Sequence, residues 1–324
     1  RIKALVAEIP RTLEIIGRLL SKGILDDRQR LKEELFELRN DMRASVVSSG
    51  HSFAALRASR SFSKVLNLEE NWRGIEQFLY ISSLSGGFED SWKELALRLS
   101  ALRDKLFSRG RLTLNITCDE GVFPTLEESL KQLCSCFDGE ESSRSVAVAE
   151  AASVPSHEAL VAPTTVNFAA VAFPASRLGD AGHPFEVLAS HILKVESLWE
   201  KIRMQGGAYG AFASANATEG VFTMASYRDP HTHRTLSAFR ESLLLLSEVL
   251  DPLLLEKAVI SVVGRELRPL APGEEGMLAF RRLMYGIADS LRQQKRDRLL
   301  AAAPLDVLEA AKRLLHSLDE HGTS

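Results

Sequence analysis

At 324 residues, 45% hydrophobic and 26% charged, the chain is long enough for about two ordinary globular domains with real cores. Forty basic residues against 43 acidic ones leave a formal charge of -3. That near balance excludes the basic footprint of a nucleic-acid binder and the cationic face of a protein that sits on anionic membranes.

No apolar run reaches the roughly 18 residues of a membrane-spanning helix, so no membrane partner is expected. The three cysteines, Cys118, Cys134 and Cys136, are too few for a disulfide framework and odd in number. They favour a reducing compartment, with the cytoplasm as the favoured location. Cys134 and Cys136 are too close for a Cys-x-x-Cys metal knuckle and read as structural. The chain opens on Arg1 with no methionine and no signal-like stretch, and helical text starts at once, which suggests a piece of a longer polypeptide.

Residues 4–45 carry two helical patterns, first Leu5, Ile9, Leu13, Ile16 and Leu20, then Leu31, Leu35, Leu38 and Met42. So charged a pair buries little, and residues 1–45 read as a helical hairpin connector. Residues 51–62 are strand-like, and Asn67 is placed to cap a helix bearing Trp72, Ile75 and Phe78. After Gly86 and Gly87 a helix carries Trp92, Leu95, Leu99 and Leu102. The segment 111–118 alternates with period two, as a strand does, and residues 125–137 read as a helix. Residues 138–158 turn acidic and then rich in Ser and Ala, the composition of a linker. Beyond it come a strand at 165–173, a helix at 184–204, strands at 209–215 and 220–228, and helices near 231–250, 252–268, 275–295 and 304–319. The expected class is α+β: two similar sheet-plus-helix units at 46–150 and 156–324 behind the connector.

Candidate chemistry is sparse. His183-Pro-Phe-Glu186 nearly spells the inverted zinc motif His-x-x-Glu-His, but Val187 stands where the second histidine belongs. His191 shares a helical face with His183 yet lies about 12 Å along the axis, too far to share one ion. His231 and His233 open a helix, where residues two apart diverge. No Gly-x-Ser-x-Gly elbow, nucleophile triad or phosphate loop occurs, and no metal site is expected in this chain. The stretch IRMQGGAYGAF (202–212) runs from helix into strand, so it presents the wrong dipole end for phosphate. Gly206 and Gly207 suit a helix end and a close backbone approach. They leave unexplained why Tyr209 stands among such small residues.

Three segments, LWEKIR (198–203), GGAYGA (206–211) and SYRDP (226–230), carry a family likeness. They resemble the C-terminal half of insulinase-like zinc metallopeptidases, most closely the presequence-protease branch, and GHSFAALRAS (50–59) resembles the start of that half. The resemblance implies a clamshell in which the N-terminal half bears the zinc and the catalytically degenerate C-terminal half lends an arginine and a tyrosine to the active site. Here those positions are Arg203 and Tyr209, with Gly206, Gly207, Ala208, Tyr227 and Arg228 as further substrate contacts. It implies peptide substrates, zinc in the parent enzyme with no cofactor in this piece, and a partner in the N-terminal zinc-bearing half of the same polypeptide. The departure is the missing His-x-x-Glu-His, so the chain alone should hydrolyse nothing. The alternative is a non-catalytic peptide-binding subunit that docks on a separate zinc-bearing subunit. A strand at 209–215 lying at a sheet edge could also take up an extended peptide.

Overall fold

Residues 2–139 and 155–324 are described by the structure, a computed structural model. Most of the expected linker, residues 140–154, lies outside the described residues. The chain forms two compact units that interleave in sequence: residues 1–39, 81–147 and 270–286, and residues 40–80, 148–269 and 287–324.

The described part of the first unit is helical. Helix α1 (Ile9–Lys22) packs on α6 (Phe88–Leu106) and α7 (Phe123–Ser135). The N-terminal part of α2 (Arg28–Ser48) is tied to α6 by Arg28 and Lys32, which both pair with Glu89. The Arg103 guanidinium caps the end of α1 by donating to the Gly23 carbonyl at 2.7 Å. The unit also takes in α11 (Pro272–Met284) and the last residues of α5 (Ile75–Gly86).

The second unit holds the sheet. Strands β1 (Ala170–Pro174), β2 (Gly210–Asn216) and β3 (Val221–Tyr227) are antiparallel in the order β1-β3-β2. Asn216 shapes the β2–β3 turn by accepting from the Thr218 and Glu219 amides, and Gly220 supplies its positive φ of 66°. Val171, Phe173, Phe222, Met224 and Ala211 point to one face, where they join the main core. That core includes residues of α8 (His183–Val195), α9 (Thr232–Glu248), α10 (Pro252–Glu266) and α13 (Pro304–His321). Phe173, Phe222 and Phe239 are wholly buried there, and each such ring stabilises the fold by about 1.5–3 kcal/mol relative to exposure. The opposite face puts Ala172 and Val221 against Ala58 of α3 (Gly50–Ser59) and Leu66 of α4 (Lys64–Arg73). Helices therefore cover both faces. The outer edge of β1 is closed by a two-way backbone pair between Ala172 and Thr323, 2.9 Å each way. The outer edge of β2 has no strand beside it among the described residues.

The α+β class holds, with the helices dominant, but several local readings need correction. Residues 51–62 are not a strand. Ala54, Ala55, Leu56, Arg57 and Ala58 are strong helix formers, and they build α3. Its Gly50 lies so close to Phe168 that an added Cβ would sit 2.3 Å from the ring. The segment 111–118 is extended without a strand partner. Asn115 instead donates its amide to the Gly276 carbonyl, and Thr117 fills the space left by that glycine's missing side chain. No strand occurs among the described residues of 46–139. Ser63, not Asn67, caps α4, accepting from the Val65 and Leu66 amides. The helix expected at 275–295 is two, α11 and α12 (Asp289–Leu300), parted at Gly286 with φ 64°. The helix expected at 184–204 ends at Val195 and resumes as a π-helical turn, Trp199–Met204.

Candidate functional site

The π-helical turn and the glycines build the approach to β2. Ile202 is buried, and its carbonyl accepts from the Ala208 amide at 3.0 Å, while the Arg203 carbonyl accepts from Gly207 at 3.1 Å. A Cβ on Gly206 would stand 2.5 Å from the Ile202 oxygen, and Gly207 has φ 79°. Both positions therefore demand glycine. Ala208 is buried beneath the bend. The Tyr209 amide then donates to the Tyr227 carbonyl at 3.0 Å, which fixes Tyr209 just ahead of β2.

Tyr209 is no core residue. It is 67% exposed, and its hydroxyl has no hydrogen bond among the described residues. Its ring stands edge-on to Tyr227, centroids 5.8 Å apart. The Arg203 guanidinium lies 3.9 Å from the Trp199 ring centroid and 5.8 Å from that of Tyr209, so it is held between two aromatic rings without an ion pair among the described residues. Arg203 and Tyr209, the two candidate catalytic residues, are thus side by side.

The aromatic row continues along β3 and β2. Tyr227 meets His51 edge-on at 4.9 Å, His51 stacks on Phe212 at 5.1 Å, and Lys194 caps Phe212 at 5.7 Å. Arg228 lies over Tyr227 at 5.4 Å. It has φ 50°, the sole non-glycine residue with positive φ among the described residues. Such a conformation costs on the order of 1 kcal/mol or more and persists only where neighbours enforce it. Buried Asp229 does so: its backbone pairs with Asn167, and its carboxylate accepts from the His231 amide at 2.8 Å and the Thr235 hydroxyl at 2.6 Å. Burial lowers the His51 pKa, and its buried Nδ1 has no partner. His51, Phe212, Lys194 and Trp199 were not singled out from sequence as site residues. Trp199 and Phe212 flank the quoted motif, whereas nothing local marks His51 or Lys194.

The residues of this chain do not fit a zinc ion. Among the described residues no three His, Cys, Asp or Glu side chains converge. Glu186 of the near-motif is committed to the Ser176 amide and hydroxyl, at 2.8 and 2.7 Å. His183 is buried, and burial depresses its pKa to about 4. His191 faces Arg265 at 3.2 Å, and His231 sits at the N-terminus of α9.

The fold is that of the peptidase M16 halves. A solved peptidase M16 inactive domain from Pseudomonas fluorescens superposes with a TM-score of 0.60 at 12% identity, covering 93% of this chain and 71% of that one. Pitrilysin superposes with a TM-score of 0.55 at 18% identity, covering 97% of this chain and 33% of that one. In sequence, residues 157–323 match the family model described as the PreP C-terminal domain. Residues 1–84 match a second model, described as a region associated with M16 peptidases of subfamily C. The chain belongs to the PreP C-terminal domain family. Presequence protease 1, chloroplastic/mitochondrial, of Arabidopsis thaliana is 25% identical over 96% of this chain and 29% of its own length. The mitochondrial presequence protease of Yarrowia lipolytica is 28% identical over 96% and 31%, and an uncharacterized protein of Borreliella burgdorferi is 28% identical over 98% and 32%. The chain spans about a third of the length of the curated relatives it matches. No helix among the described residues is long and apolar enough to cross a membrane.

Proposed function

We propose that this chain is the C-terminal, zinc-free half of a peptide-degrading metalloendopeptidase, supplying Arg203 and Tyr209 to an active site whose zinc lies on the N-terminal half of the same polypeptide. The observation that carries the reading is Tyr209, solvent-exposed with a free hydroxyl beside an unpaired Arg203 at the start of an open edge strand. A phenol aimed at a carbonyl oxygen stabilises the oxyanion that develops on it during peptide hydrolysis. A guanidinium held by ring stacking presents its fork of donors in fixed geometry to a peptide carbonyl or carboxylate. Gly206, Gly207 and Ala208 keep the approach narrow, while Tyr227 and Arg228 line the strand end. The unpaired edge of β2 can hydrogen-bond an extended substrate.

The names of the presequence-protease relatives support this reading, as does the commitment of Glu186, in the near-motif, to Ser176. Elemental analysis tests it. After dialysis at neutral pH this chain should carry no stoichiometric zinc, and a polypeptide extended upstream should carry one ion. One zinc per chain in the shorter protein would overturn the division of labour.

A further inference from the structure

Three cations flank the open edge of the sheet: Lys194, Arg203 and Arg228. Each lies over an aromatic ring, of Phe212, Trp199 and Tyr227 respectively. None forms an ion pair among the described residues, whereas most other arginines and lysines whose contacts are given pair with a carboxylate. Nearby acids are committed elsewhere. Glu200 accepts from Gln205, Glu241 pairs with Lys201, and Asp229 is turned inward on His231 and Thr235. A ring beneath a guanidinium orients it yet satisfies none of its N–H donors, so the donors stay directed at whatever occupies the edge. Arg228 keeps its position despite its left-handed backbone, which glycine would adopt without strain.

Resting on the proposed peptide-binding role of this edge, we infer that it selects peptides by a carboxylate, which is held by the unpaired cations beside β2. The carboxylate comes from an acidic side chain of the bound strand or from its C-terminus. Charge-assisted hydrogen bonds to such a group are about twice as strong as those to a neutral amide, and they weaken with salt at an exposed site.

The test uses fluorescence anisotropy on this chain with three dye-labelled, β-prone peptides of one length. The first carries Glu at alternate positions and an amidated C-terminus. The second replaces each Glu by Gln and keeps a free C-terminal carboxylate. The third has Gln and an amidated end. At least one carboxylate peptide should bind about tenfold more tightly than the neutral one, and the advantage should shrink with added salt and in Arg228→Gln and Lys194→Gln. Which of the two gains identifies the source of the group. Equal affinity for all three peptides would overturn the carboxylate preference while leaving the edge-strand reading in place. Binding of none would overturn both. A preference unchanged in both variants would overturn the assignment to these cations.

Discussion

Removing one oxygen from Tyr209 separates a catalytic role from a packing role. In Tyr209→Phe the ring remains edge-on to Tyr227 and beside Arg203, so its contacts survive. The hydroxyl has no hydrogen bond among the described residues, and the residue is 67% exposed. Its loss should therefore change stability by less than about 0.5 kcal/mol, as exposed substitutions do. Turnover by the complete enzyme should fall about 10- to 1000-fold, which is about 1.4–4 kcal/mol of transition-state stabilisation. Melting temperature and turnover measured on one preparation give both quantities. Arg203→Ala should raise KM more than it lowers kcat, and the double variant should lose less than the sum if both groups hold one carbonyl. A Tyr209→Phe protein that melts early yet cleaves at the full rate would refute the reasoning.

His183 is held neutral by burial, with Lys295 adding to the effect, so its pKa falls from 6.5 to about 4. Its unfolded form gains a proton first as pH drops. Its contribution to instability is thus absent above pH 6.5 and grows to about 3 kcal/mol by pH 4. Urea titrations of His183→Asn should show a shallower loss of stability across that window, and an unchanged slope would contradict the assignment. Arg228→Gly should leave the melting temperature unchanged or raised, because glycine adopts φ 50° freely, while the affinity of the chain for a carboxylate peptide falls. Gly50→Ala should lower stability by about 1–3 kcal/mol through the clash with Phe168, measured by denaturant unfolding. Limited proteolysis should cut first within 138–158, where the sequence offers little to bury, and first cuts at 190–230 would contradict that placement.

The strands of the hairpin were legible because Gly, Asn and alternating small and apolar residues bracket them: 209–215 and 220–228 shift by only one residue at most ends. The amphipathic helices α1, α2, α6, α9 and α13 were legible for the same reason, a long period. Short apolar runs were not. Residues 51–62 fit either period, and the helix wins because Ala58 and its neighbours pack flat on β1 and β3. The period-two segment 111–118 shows the converse, since alternation describes an extended chain but cannot supply the neighbouring strand. At the site, adjacency of Arg203 and Tyr209 followed from one bend and could be read locally. The rest of the row could not. His51 reaches Phe212 and Tyr227 only because α3 lies across the sheet, a contact between distant parts of the sequence. Likewise, exposure of Tyr209 depends on β2 being an edge strand, which is a property of strand order and not of its letters.

Peptide cleavage by three preparations tests the central claim most directly: this chain alone, the zinc-bearing half alone, and the two joined in one polypeptide. The account predicts that only the joined protein turns over substrate efficiently, because zinc and the Arg203–Tyr209 pair lie on different halves. Cleavage by this chain alone, or a zinc half that reaches the full rate without it, would contradict the account.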